Sequence, residues 1–131
     1  LVAFVLGDVD QLKTDQSYDA ALSILVTHFV AYPEKPTFFK AISSRLKSQG
    51  IFITFDLTKI KSEQELQTLK YLCEANGLTP SQAAVMLDRL EDDFYPLSEQ
   101  ETLEQLKGCG FEAVQGFTQI LFYQGYMAIK A

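Results

Sequence analysis

The chain has 131 residues and a net charge of −6, with 47% apolar and 21% charged residues. That composition gives one globular domain with its own core and excludes intrinsic disorder. An acidic chain without a basic cluster is not expected to bind nucleic acid autonomously, and no apolar run approaches the ~18 residues of a membrane span. Two cysteines, Cys73 and Cys109, make no disulfide framework and fit no zinc spacing, so a reduced, cytoplasmic setting is expected.

The first six residues, Leu1–Leu6, read as a buried strand followed by a Gly7-Asp8 turn. A chain that opens inside a core strand reads as part of a longer protein. After the polar stretch Lys13–Ser17, Tyr18–Ile24 is a second apolar strand, and Val26–Tyr32 a loop or short helix. Phe38, Phe39, Ile42 and Leu46 recur at helical spacing, with Lys40, Ser43, Ser44 and Lys47 opposite and Gly50 as the stop. Ile51–Leu57 alternates as a third strand. Ser62…Glu65 and Ser98…Glu101 are capping boxes, and Thr79-Pro80 is an N-cap followed by a first-turn proline. Three helices are expected from them, the first ending at Asn76-Gly77. Phe111–Tyr123 and Tyr126–Ala131 close the chain as a hairpin turning at Gln124-Gly125.

Two residues are candidates for chemistry. His28 is the only histidine, a potential general base or a packing residue. Asp56 ends the third strand, at the edge where open α/β sheets place ligands, and either faces an acceptor or caps a turn. Asp88, Glu91, Asp92 and Asp93 read as a solvated helix face. Phe94, Tyr95, Phe117, Phe122 and Tyr123 read as core or lid, and the cysteines as small buried hydrophobes.

An ordered set of residues then carries a family resemblance. Phe4-Val-Leu-Gly-Asp8-Val9, Tyr18-Asp19-Ala20, Leu46…Gly50-Ile-Phe-Ile, Leu106…Gly110-Phe111 and a last strand with Lys130 resemble the class I S-adenosylmethionine-dependent methyltransferases. The resemblance implies an α/β fold: a partial Rossmann-like methyltransferase sheet of parallel strands with helices and a C-terminal antiparallel β-hairpin. Residues 1–131 would be one domain, the C-terminal portion of that fold, with 62–96 a helical insert covering the acceptor site.

The resemblance also implies site residues. Asp8 would accept from the adenine amine of S-adenosyl-L-methionine and the Val9 amide would read a ring nitrogen, while Ser23 would border its amino-acid end and Leu25 and His28 would follow in the loop that floors the pocket. The family's glycine-rich turn, Glu/Asp-x-Gly-x-Gly-x-Gly, does not occur here, so the chain alone is expected to be inactive or nearly so. The nearest subfamily is the tRNA wobble-uridine 5-oxyacetate methyl/carboxymethyl transferases, through Ala75-Asn76-Gly77 and the C-terminal stretch. Their arginine before Ala-Asn-Gly is Glu74 here, which would repel a carboxylated cofactor and favours ordinary S-adenosylmethionine.

The expected function is therefore part of a methyltransferase acting on a small molecule or a tRNA base. The alternatives are a non-catalytic interaction or scaffold domain derived from that fold, and a flavodoxin-like nucleotide binder. In the intact family fold the first two strands would separate Leu1–Leu6 from Tyr18–Ile24. Without them the second strand has an open apolar edge, expected to be covered by Leu1–Leu6 or by a second chain in a homo-oligomer.

Overall fold

The computed structural model describes residues 2–13 and 17–131. Four strands, β1 (Tyr18–Ile24), β2 (Leu46–Leu57), β3 (Phe111–Ile120) and β4 (Tyr123–Lys130), form one sheet in the order β1-β2-β4-β3. β1 and β2 are parallel and joined through α1 (Lys35–Arg45), while β4 is antiparallel to both of its neighbours. Between β2 and β3 lie α2 (Glu63–Ala75), α3 (Pro80–Asp92) and α4 (Glu99–Gly108). This is the expected parallel α/β unit closed by an antiparallel hairpin.

β2 organises the packing because its side chains alternate between two environments. Phe52, Thr54 and Asp56 are buried on one face, and Ile51, Ile53 and Phe55 point to the other. On the buried face, Phe39 and Ile42 of α1 and Leu106 of α4 meet Phe52, Phe111, Tyr126 and Ala128. Phe52 stacks on Phe111 with ring centroids 5.4 Å apart and meets Phe39 edge-on at 6.2 Å. The opposite face carries no comparable cover: Leu22 is 70% and Ile24 50% exposed.

The helix starts follow the sequence signals. Ser98 and Glu101 form a reciprocal capping box, Oγ accepting at 3.2 Å and the carboxylate at 2.7 Å. Thr79 and Gln82 form another, with Pro80 at the first helical position. Ser62 caps α2, but the Glu65 carboxylate accepts from Lys61 N–H at 2.7 Å instead of closing its box.

Four expectations are corrected. Residues 2–6 form no strand and are exposed; Leu6 is fully open to solvent. They make no ladder with β1 and leave its edge uncovered; Leu1 lies outside the described residues, as do positions 14–16 of the expected polar stretch. The first helix stops at Arg45, not past Lys47, because Leu46 turns to extended backbone and enters β2. Ser43, placed by the pattern on the solvent side, is buried at 3%. Gln49 takes a left-handed φ of 64°, and the register jumps from Tyr18↔Leu46 to Ala20↔Ile51.

The final hairpin turns at Leu121-Phe122, not at Gln124-Gly125, with Leu121 at φ 53°. Gly125 is instead a strand position opposite Phe55 and Thr118. A Cβ there would stand 2.8 Å from the Phe117 ring, so the glycine makes room for a cross-strand aromatic.

The contrast between the two faces is measurable by urea denaturation. Leu106→Ala, on the closed face, should destabilise the chain by about 2–5 kcal/mol. Leu22→Ser, on the open one, should stay within about 0.5 kcal/mol when measured at a concentration where the chain is monomeric.

Candidate active site

The site begins where β1 ends. Leu25 adopts φ 56° and donates its N–H to the Phe55 carbonyl at 2.8 Å. The chain then leaves the sheet in a single 3-10 turn, Thr27–Phe29, which folds over the end of β2. There it meets Asp56. The Thr27 N–H donates to Asp56 Oδ2 at 2.5 Å, and the Thr27 hydroxyl donates to the same oxygen. Asp56 Oδ1 accepts from Leu57 N–H at 2.9 Å and contacts His28 Nδ1.

All three residues are buried: Thr27 is 8% exposed, His28 6% and Asp56 7%. Tyr95 N–H donates to the His28 carbonyl at 2.7 Å. The imidazole also packs against Phe29 and Phe94, centroids 4.2 and 4.9 Å away. Behind the turn lies Lys35, whose Nζ donates to the Thr27 carbonyl at 2.5 Å. Burial lowers the Lys35 ammonium to about 8, against the attraction of Asp56, which opposes the shift.

His28 lines a pocket of about 750 Å³. One wall is the strand ends, with Leu25, Leu57 and the β3–β4 turn; the other is α2 and α3, through Leu69, Met86 and Leu90. The walls are mostly apolar, with Lys59 and Glu91 as the charged lining residues. This is the usual character of a small-molecule site. His28 Nε2 has no hydrogen-bond partner among the described residues.

A second cavity of about 20 Å³ lies inside the buried face, lined among others by Asp56, Thr54, Gln124 and Tyr126. The last three each have a side-chain oxygen without a protein partner, and the space suits one water. Burial pushes the Tyr126 hydroxyl up to about 12.

The structure thus brings together His28, Asp56 and Leu25 of the sequence candidates. Ser23 is buried two positions before the pocket-lining Leu25, its hydroxyl facing inward opposite Thr54 without a protein partner. Asp8 and Val9 do not line the pocket. They belong to a separate turn, Val9–Gln11, held against α1 by Arg45, which donates to the Asp10 and Leu12 carbonyls at 2.5 and 3.1 Å. Glu74 also lies outside the pocket lining.

Sequence reasoning missed Thr27 and Lys35. A threonine before a histidine carries no signal, and a lysine is read as exposed unless a partner is known. Of the residues read as core or lid, Phe94, Phe122 and Tyr123 line the pocket, and Phe117 is 54% exposed. Asp88, Glu91, Asp92 and Asp93 are exposed.

A family model described as a methyltransferase domain matches residues 1–54. Curated relatives include a carboxy-S-adenosyl-L-methionine synthase of Methylococcus capsulatus, 27% identical over 98% of this chain and 55% of the relative. Another, from Yersinia pseudotuberculosis, is 24% identical over 92% of this chain and 52% of its own length. The chain spans about half the length of these relatives.

Among solved structures, human N-acetylserotonin methyltransferase in complex with SAM covers 95% of the chain, which covers 32% of it, at TM-score 0.64 and 15% identity. Burkholderia thailandensis 1,6-didemethyltoxoflavin-N1-methyltransferase, with its substrate and S-adenosylhomocysteine bound, covers 98% of the chain and is half covered by it, at TM-score 0.63 and 19% identity. Family model, relatives and structures agree with the motif resemblance: this is the Rossmann-like fold of the class I S-adenosylmethionine-dependent methyltransferases.

The buried Lys35 makes a signed prediction. Its folded value, about 8, lies below the 10.5 of an unfolded lysine. Between these values the unfolded chain holds the extra proton, so the cost of the buried charge is relieved as pH rises. The gain is about 1.4 kcal/mol per pH unit across that window. Burial raises Cys109 and Tyr126, which work the other way at alkaline pH. Urea denaturation of the chain and of Lys35→Met, from roughly pH 7 to 10, cancels those terms in the difference. The unsubstituted chain should gain relative to the variant as pH rises.

Proposed function

We propose that the chain is the acceptor-side portion of an S-adenosylmethionine-dependent methyltransferase, and that the 750 Å³ pocket holds the methyl acceptor. The observation that carries this reading is the juxtaposition of a carboxylate-held imidazole, His28 on Asp56, with an apolar pocket at the C-terminal ends of parallel strands. S-adenosylmethionine, when bound, supplies an electrophilic methyl group. The protein's task is then to align the acceptor and exclude water, and His28 takes a proton from an acceptor hydroxyl or amine.

The residues present fit the cofactor in part. The Asp8 carboxylate makes no hydrogen bond within the described residues and can accept from an adenine amine. Ser23 and Leu25, at the end of β1, are proposed for its amino-acid end. Donors of the glycine-rich turn are not in this sequence.

The apolar lining and the net charge of −6 favour a small apolar acceptor over a tRNA base. Residues 62–96 act as the insert that encloses it. The bare edge of β1 supports pairing with further chain, a second copy being the proposed occupant. No described helix is long and apolar enough to cross a membrane.

Calorimetric titration tests the reading. 2-Naphthol, an apolar hydroxyl probe, should bind, and Leu90→Glu should weaken it at least about tenfold while leaving the circular dichroism unchanged. A form of the chain extended upstream to the length of its relatives should bind S-adenosylhomocysteine far more tightly than this chain does. Failure of that form to bind it would overturn the methyltransferase reading. Sedimentation should show a dimer that a paired Leu22→Lys and Ile24→Lys substitution dissociates; a monomer at every concentration would rule out self-pairing.

A further inference from the structure

Lys35 has the least ordinary environment of any charged side chain described. It is 1% exposed, and burying an ammonium costs several kcal/mol unless its charge is used. It also opens α1, where the helix dipole disfavours a cation. Against this, Nζ makes its hydrogen bond to the Thr27 carbonyl, lies 5.8 Å from the Tyr32 ring centroid and is attracted by Asp56.

We propose that Lys35 is a positioning residue: by holding the carbonyl of Thr27, whose N–H and hydroxyl bind Asp56, it fixes His28 as the Nδ1–H tautomer with Nε2 free for the acceptor. Its use in catalysis rests on the pocket reading above; the tautomer itself does not.

The hydrogen bonds dictate the proton's place. The backbone N–H groups of Thr27 and Leu57 can only donate, so each Asp56 oxygen is already an acceptor. The Thr27 hydroxyl shares Oδ2 and His28 shares Oδ1. With both oxygens doubly engaged by donors, the carboxylate has no room for a proton of its own. The His28 ring must then donate through Nδ1. A neutral imidazole has one N–H, so Nε2 keeps its lone pair. Lys35 acts through the turn: its grip on the Thr27 carbonyl holds the segment whose N–H, hydroxyl and imidazole meet Asp56. The charged groups around the imidazole are Asp56 from β2 and Lys35 from α1, with Lys59 and Glu91 on the pocket walls.

His28 is the only histidine, so long-range ¹H–¹⁵N correlation reads its ring nitrogens without overlap. In the neutral ring, Nδ1 should resonate as a pyrrole-type and Nε2 as a pyridine-type nitrogen, the reverse of the preference of free imidazole side chains. Lys35→Met should shift the pair toward a mixture, and Lys35→Arg should restore part of it. A merely structural lysine would leave the tautomer unmoved in Lys35→Met, which would overturn the proposal.

The unsubstituted chain provides a check that needs no variant to fold. Its neutral ring should carry the proton on Nδ1, because the Asp56 oxygens held by the Thr27 and Leu57 donors can only accept. An Nε2–H ring would equally overturn the proposal. None of these readings requires cofactor or acceptor. A pocket that binds neither would sink the proposed function and leave the tautomer result standing.

Discussion

The arrangement of this chain depends on one carboxylate with more donors than a solvated aspartate needs. Asp56 ends β2 on the buried face and gathers two N–H groups, a hydroxyl and an imidazole. Hydrogen bonds to an ionised acceptor are stronger than those between neutral groups, and low dielectric strengthens them further. The turn after β1 has no helix or strand ladder to hold it. It is placed by this carboxylate from below and by Lys35 from behind. The position of His28 is therefore set by side chains that the strand and α1 deliver, not by the turn's own backbone preference.

The sheet's two faces explain why polar residues gather there. On the closed face the apolar core of Phe39, Phe52, Leu106 and Phe111 occupies the start of β2, and Thr54, Asp56 and Thr58 follow toward the ligand end. The strand changes from core to chemistry along its length while keeping the same side-chain period. Its opposite face stays apolar and uncovered, with Leu22 and Ile24 exposed beside Ile51. A sheet normally buries such a face. The chain is thus closed around its polar end and open at the β1 edge, which accords with relatives about twice its length.

What could be read from the sequence was local. The capping box at Ser98, the N-cap at Thr79 and the alternation of Ile51–Leu57 depend on neighbours within a few residues, and each was legible. The errors came where a distant contact decides. Leu1–Leu6 has strand composition, but its described part, residues 2–6, joins no ladder and lies exposed. Gln124-Gly125 has turn composition, but Phe117 needs the missing side chain of Gly125, and the turn moves to Leu121. Leu46 fits the helical stripe, yet a parallel ladder with β1 claims it. Of the site, His28 and Asp56 were visible as residue types at strand ends. Their pairing, and the part played by Thr27 and Lys35, arises from contacts between residues at most 29 positions apart in sequence.

The two walls of the pocket differ in how they are held, and that difference divides their roles. The strand-end wall is tied to the sheet ladder and to Asp56. The helical wall is formed by α2 and α3, which pack chiefly on each other, with a Cys73–Met86 sulfur contact of 3.7 Å between them. Such a hairpin can shift as a unit without breaking the sheet, because few of the core contacts involve it. Methionine and leucine on its inner side adapt to ligand shape at small cost. In the proposed function, shape selection would fall to Leu69, Met86 and Leu90, and proton handling to the wall that carries His28. An adaptable apolar surface facing that wall would let acceptor preference vary without disturbing the hydrogen bonds that orient the imidazole.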